Sequence, residues 1–238
     1  MKGVLKNCSI AISSPLFLSK LFYSSRFCLR PKIPLNRRRP VASAARSLVI
    51  ETSEDETVAK SKVTRRLILL RHADSSWSDR TLRDHDRPLS KTGRADAISV
   101  SRKLEQMGWV PELILSSDAV RTKETLKIMQ EHVQGFLEAE VHFVASFYSI
   151  AAMDGQTAEH LQDAVCEYSR DDTLTVMCMG HNRGWEEAAS VFSGSPVELK
   201  TCNAALLEAT GKSWDEAFTS AGLGGWELHA IVKPDKIQ

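Results

Sequence analysis

The chain has 238 residues, 42% of them hydrophobic and 26% charged, a globular balance that excludes a fibrous or fully disordered protein and suits one sizeable domain or two small ones. No apolar run exceeds four residues, whereas a spanning helix needs roughly 20, so a transmembrane helix is excluded and no membrane partner is expected. The formal net charge of +1 hides an asymmetry between the first 50 residues and the rest.

Residues 1 to 50 hold ten Lys or Arg and eight Ser but no Asp or Glu. Taking those ten from the 31 basic residues leaves 21 against 30 acidic ones, a net charge of −9 for the remainder. An acidic body argues against nucleic acid as a partner, because binding a phosphate backbone rests on clustered cations. The basic, Ser-rich, acid-free start has the composition of an organelle transit peptide. Val41-Ala42-Ser43-Ala44-Ala45 resembles a chloroplast processing site of small residues. A transit peptide over 1–45, a linker over 46–64 and one domain over 65–234 are therefore expected. The expected address is the chloroplast. A mitochondrial presequence shares this composition, and a basic tail for anionic surfaces is the structural alternative.

Of five Cys, Cys8 and Cys28 fall in the tail. Cys166, Cys178 and Cys202 lack C-x-x-C or paired Cys/His spacing, so they are read as small core residues, with no structural zinc or disulfide framework.

Leu67-Ile68-Leu69-Leu70 is continuously apolar, as a strand buried on both faces of a parallel sheet should be. Ala97, Val100, Leu104 and Met107 recur with helical period, and Gly108 makes a natural stop. Glu112 to Ser117 predicts the second strand; Ala119, Thr122, Leu126, Met129 and Val133 mark the next helix. Val141, Phe143, Ala145 and Phe147 alternate with period two and predict a third strand. Leu161, Ala164, Val165 and Tyr168 give a third helix face, Leu174 to Met179 a fourth strand, and Trp185, Ala188, Ala189 and Phe192 a fourth helix. Ala204 to Ala209 and Trp226 to Val232 predict two edge strands, joined by an exposed connection over Gly211 to Gly225. Alternating strands and helices specify an α/β fold, a three-layer sandwich with a mainly parallel central sheet.

In such sheets the ligand site lies beyond the carboxyl ends of the strands. The residues there are Arg71-His72-Ala73-Asp74 after the first strand, Asp118-Ala119-Val120-Arg121 after the second, and Gly180-His181-Asn182 after the fourth. Two guanidinium forks and two imidazoles suit a doubly charged oxyanion, because Arg donates bidentate hydrogen bonds to phosphate and stays charged at any working pH. A neutral, well-held His can also attack phosphorus and split hydrolysis into two easier steps. Arg87 and Ser78 can reach the phosphate rim, although Arg87 can equally pair with Asp84 or Asp86. His85, His132, His142, His160 and His229 share no spacing, and the five Trp are read as core packing.

Arg71-His72-Ala73-Asp74-Ser75-Ser76-Trp77 resembles the signature of the histidine phosphatase superfamily, with a nearer likeness to its small SixA-like phosphohistidine phosphatases. Asp84-His85-Asp86-Arg87-Pro88-Leu89-Ser90 with Gly93, Ser116 to Thr122 with Thr125, and Gly180-His181-Asn182 follow in the family's order. The resemblance implies a phosphoglycerate mutase-like fold and a metal-independent phosphatase that needs no cofactor. It implies His72 as phosphoryl acceptor, with Arg71, Arg121 and His181 enclosing the phosphate. The partner is then a phosphorylated protein or a small phosphorylated substrate; a small-metabolite phosphatase and a non-catalytic phosphate-binding module are the alternatives. The wider family carries a Glu or Asp after the third strand as general acid. Here that region reads Phe147-Tyr148-Ser149-Ile150-Ala151-Ala152-Met153-Asp154. No carboxylate follows the strand directly, so a good leaving group such as a phosphorylated histidine or an acyl phosphate is expected.

Overall fold

The computed structural model describes residues 63–235, so the transit-peptide expectation and residues 46–62 of the linker lie outside the described residues. β1, Val63–Arg71, starts two residues before the expected Arg65. After a 3-10 turn at Asp84–Asp86 come α1 (Lys91–Gln106), β2 (Leu113–Ser116), α2 (Val120–His132), α3 (Gln134–Glu138), β3 (Glu140–Phe143) and α4 (Ser146–Ile150). They are followed by α5 (Thr157–Tyr168), β4 (Thr175–Gly180), α6 (Gly184–Ser193), β5 (Ala204–Gly211), α7 (Trp214–Ala221) and β6 (Glu227–Val232). Among the described residues, no helix is long and apolar enough to cross a membrane.

The six strands form one sheet in the order β3-β2-β4-β1-β5-β6. β1 and β4, β2 and β4, and β2 and β3 pair in parallel, whereas β5 runs antiparallel to β1 and β6 antiparallel to β5. Side-chain alternation along the central strands separates two cores. Leu67, Leu69, Val176, Cys178 and Leu207 face α5, α6 and α7, burying Leu161, Trp185, Phe192 and Trp214. Ile68, Leu70, Met177, Met179 and Leu206 face α1 and α2, burying Val100, Leu104, Leu126 and Met129. The continuously apolar runs are strands covered on both faces, the reading their composition requires.

Several expectations are corrected. Of the two strands expected at the edge only β6 lies there, because β5 is paired on both sides, with β1 and β6. The third strand stops at Phe143. Val144 N–H still donates to Ser116 O, but Ala145 turns helical and Phe147 reaches the core from α4. Of the alternating set only Phe147 is buried, Phe143 and Ala145 being exposed; an apolar residue at every second position cannot distinguish a longer strand from a strand followed by one helical turn. Residues 211–225 are not an exposed connection: they hold α7, whose Trp214, Ala217 and Phe218 are buried. The signal was Ser213 followed three residues later by Glu216, a capping box; Ser213 Oγ accepts from Glu216 N–H at 3.1 Å. Four Trp are core residues as expected, but Trp77 is 64% exposed.

The loop after β1 is tied down by the Asp84–Gly93 block. Ser76 N–H donates to Pro88 O and Ser90 N–H to Asp74 O. Ser90 Oγ donates to Asp74 Oδ2 at 2.6 Å and accepts from Gly93 N–H at 2.9 Å, capping α1. A Cβ at Gly93 would sit 2.2 Å from Asp74 O, so the close approach of α1 to this loop requires glycine.

Candidate active site

Because β1, β2 and β4 are parallel, their carboxyl ends share one edge of the sheet, and the catalytic candidates converge there. His72 follows β1 directly. Its N–H donates to Gly180 O on β4, and its C=O accepts from Cys202 N–H, which fixes the backbone from both sides. His72 Nδ1 lies 2.7 Å from Ala73 O. A carbonyl only accepts, so Nδ1 carries the proton and Nε2 keeps its lone pair. Ala73 N–H in turn donates to Thr125 Oγ1, which donates to Arg121 O, linking this loop to α2.

Arg121, buried in the first turn of α2, is the hub. Its Nε donates to His72 Nε2 at 3.1 Å. Its Nη2 donates to His181 Nδ1 at 3.1 Å and to Asp84 Oδ2 at 2.9 Å, while Nη1 donates to Asp84 O. His181 Nδ1 is therefore an acceptor, and Nε2–H donates to Ser117 Oγ at 2.7 Å. In the other neutral tautomer, with the proton moved from Nε2 to Nδ1, the Ser117 hydroxyl donates to Nε2 and Nδ1–H can donate to a phosphate oxygen. The two imidazole centroids are 5.2 Å apart. Gly180, just before His181, packs so tightly that a Cβ would lie 2.2 Å from the Trp185 ring.

Burial pushes the His72 pKa down to about 4, with the Ala73 carbonyl opposing and the charges of Arg121 and Arg71 adding to the fall. His181 is pushed down to about 2 by burial and then by His72 and Arg121. Both rings are neutral at physiological pH, so His72 Nε2 carries a lone pair, which becomes available as a nucleophile once a phosphate takes the Arg121 Nε donor from it. A stability signature follows. Between about pH 6.5 and 4 the unfolded chain takes up protons that these folded histidines refuse, so stability is full above that window and declines as pH drops through it. The decline is about 1.4 kcal/mol per pH unit for each histidine. Thermal melts of wild type and His72→Asn should show a shallower acid decline for the variant; parallel curves would contradict this origin.

Residues 67–163 match the histidine phosphatase superfamily (branch 1). The chain is 59% identical over 208 residues to an uncharacterized chloroplastic protein of Arabidopsis thaliana, covering 87% of this chain and 95% of that one. The chain belongs to the histidine phosphatase superfamily. Its fold is also that of SixA from Agrobacterium tumefaciens (22% identity, TM-score 0.55, 72% of this chain and 99% of that one). The tungstate complex of the protein histidine phosphatase SixA gives 16% identity and TM-score 0.55 over 71% of this chain and 97% of that one.

In this histidine phosphatase, His72, Arg121 and His181 line one cavity of about 480 Å³ together with Asp84, Tyr148, Ser149, Ala151, Ala152, Asn182 and Arg183. Arg71 is adjacent in sequence to His72, but its Nη1 donates to Leu199 O at 2.8 Å and it is not among the residues lining this cavity. Its buried Nε has no partner among the described residues, so the guanidinium retains a donor for an anion. Ser78 is not brought to the cavity: it is exposed and bonded to Ser76 Oγ at 2.9 Å. Arg87 stacks 3.5 Å from the Trp77 ring centroid and lies 3.4 Å from Asp84 Oδ1. Its Nε and Nη1 have no hydrogen-bond partner among the described residues. No group of three or more His, Cys, Asp or Glu among the described residues could hold a metal ion.

Among the cavity residues to which the sequence assigns no role, Tyr148 and Asp84 touch the catalytic candidates. Tyr148 lies in the segment searched for a carboxylate, and its hydroxyl donates to Asp84 Oδ2 at 3.0 Å. Asp84 belongs to a family-like block but was considered only as a surface partner for Arg87. The available signal was a carboxylate three residues before an Arg in that block. Asp154 lines a neighbouring cavity with Glu186, Glu187 and Glu198.

Proposed function

We propose that this histidine phosphatase is a metal-independent enzyme that transfers a phosphoryl group to His72 and then to water, acting on a phosphorylated protein side chain in the chloroplast. The reading rests on one arrangement: a neutral His72, its Nδ1–H held by Ala73 O and its Nε2 turned to Arg121 in a shared cavity. In the first step the Nε2 lone pair forms a bond to phosphorus, and the electrons of the broken bond leave with the departing group. In the second, water bonds to phosphorus and the P–N electrons return to Nε2. Arg121 stabilises the charge on the equatorial oxygens and His181 donates to a third oxygen, while Arg71 and Arg87, outside the cavity lining, add positive charge beside it.

The side of the cavity available to a leaving group offers Tyr148, Ser149, Ala151 and Ala152 and no protonated carboxylic acid. That supports a group able to depart without a proton, such as the imidazole of a phosphohistidine, over a sugar alkoxide. The likeness to SixA, named a protein histidine phosphatase, favours the same class. The chloroplastic relative and the basic, acid-free first 50 residues support the plastid address.

The test is a substrate panel with the residues 63–238 domain in excess chelator: a phosphohistidine protein, an acyl phosphate, an activated aryl phosphate and several sugar phosphates. Phosphohistidine and acyl phosphate should turn over fastest, unaffected by chelation. Preference for sugar phosphates would overturn the substrate class, and activity that requires added Mg²⁺ or Zn²⁺ would overturn the mechanism.

A further inference from the structure

We propose that Asp84 is the general base that activates water for hydrolysis of the phosphorylated enzyme, an inference that rests on the phosphohistidine reading of His72. Asp84 is the only carboxylate lining the catalytic cavity among the described residues. One guanidinium joins it to the nucleophile: Arg121 Nε bonds His72 Nε2 while Nη2 of the same group bonds Asp84 Oδ2. The carboxylate therefore stands one guanidinium width from the nitrogen that would carry the phosphoryl group.

Its two oxygens differ. Oδ2 accepts from Arg121 Nη2 and Tyr148 OH, which fixes the plane of the group. Oδ1 has only the Arg87 charge at 3.4 Å and accepts no hydrogen bond among the described residues, so it is free to receive a proton from water. The side chain is 53% exposed, so water reaches it. His181 is a poorer candidate because both of its ring nitrogens are engaged, by Arg121 and Ser117.

Partial burial opposes the charge on Asp84, but the neighbouring Arg121 charge and the hydrogen bonds from Tyr148 and Arg121 outweigh it and hold the carboxyl below its ordinary range. An ionised carboxylate cannot protonate a departing alkoxide, but it can take a proton from water. In the step assigned to it, a water oxygen bonds to phosphorus, one water proton passes to Asp84 Oδ1 and the other stays on the phosphate oxygen. The P–N bond breaks with its electron pair returning to His72 Nε2. Nδ1–H stays on Ala73 O throughout, so the ring ends neutral. The proton on Asp84 then leaves to solvent.

Rapid quenching of wild type and Asp84→Asn after mixing with labelled activated aryl phosphate separates the two steps. In the variant, phosphoenzyme should form within a few-fold of the wild-type rate, accumulate to nearly one label per active site and hydrolyse about 10²-fold more slowly. Asp84→Glu should recover part of the hydrolysis rate. If formation falls as much as hydrolysis, Asp84 only orients Arg121; if hydrolysis is unchanged, it is a bystander. Either result overturns the assignment while leaving His72 as nucleophile. Absence of label on both proteins during full turnover would refute the His72 reading instead, and Asp84 with it.

Discussion

Replacing His72 by Ala should abolish turnover, with a loss of about 10⁴-fold or more, because the phosphoryl acceptor itself is removed and the other cavity imidazole, His181, is the weaker base, with its pKa pushed to about 2 against about 4 for His72. The cavity otherwise survives the change. Arg121 loses one acceptor but keeps His181 and Asp84, so an oxyanion such as vanadate should still bind. The measurements are steady-state turnover and oxyanion titration of the same variant. Near-normal turnover would reduce the site to a phosphate-binding cavity with chemistry elsewhere, and loss of both turnover and binding would point to collapse of the loop rather than of the nucleophile.

Arg121→Ala should be nearly as damaging for a different reason. The guanidinium reaches His72, His181 and Asp84 at once, from a buried position in the first turn of α2. Its loss removes charge stabilisation from the transition state and leaves Arg87 as the remaining cation beside Asp84, whose negative charge then faces an incoming phosphate. A fall of about 10³-fold in kcat/KM is expected, carried by both kcat and KM, since a bidentate contact serves ground and transition states alike. Arg121→Lys should recover little, because a point charge cannot reproduce four directed bonds. A change confined to KM would show that Arg121 only binds substrate, and a fall below tenfold would remove it from the catalytic set.

The parts of this site legible in the sequence are those fixed by strand ends. Apolar runs at 67–70, 113–115 and 176–179 locate three parallel strands, and His72, Arg121 and His181 stand within six residues of their ends. Sheet topology alone then brings them together, because parallel neighbours end on the same edge. What escaped depends on side-chain direction across long separations. Asp84 meets Arg121 across 37 residues and Tyr148 across 64, and neither separation leaves a local pattern. The helix α7 was missed for another reason: its eight residues are bracketed by Gly211 and by Gly222, Gly224 and Gly225, so the punctuation resembled a loop more strongly than the short stripe of Trp214, Ala217 and Phe218 resembled a helix. Trp77 broke the expectation of a core tryptophan because Arg87 covers one face of its ring on the surface, a cation–π contact that spacing does not announce.

The position of the phosphoryl group during turnover bears most directly on the mechanism. Enzyme quenched without acid during turnover of labelled phosphohistidine protein and digested at high pH should yield one labelled peptide, containing His72. The label should be stable in base and lost in acid, with fragmentation placing phosphorus on the imidazole. Label on Ser, Asp or another His, or full turnover with no labelled peptide at any time point, would contradict a phosphohistidine intermediate at His72.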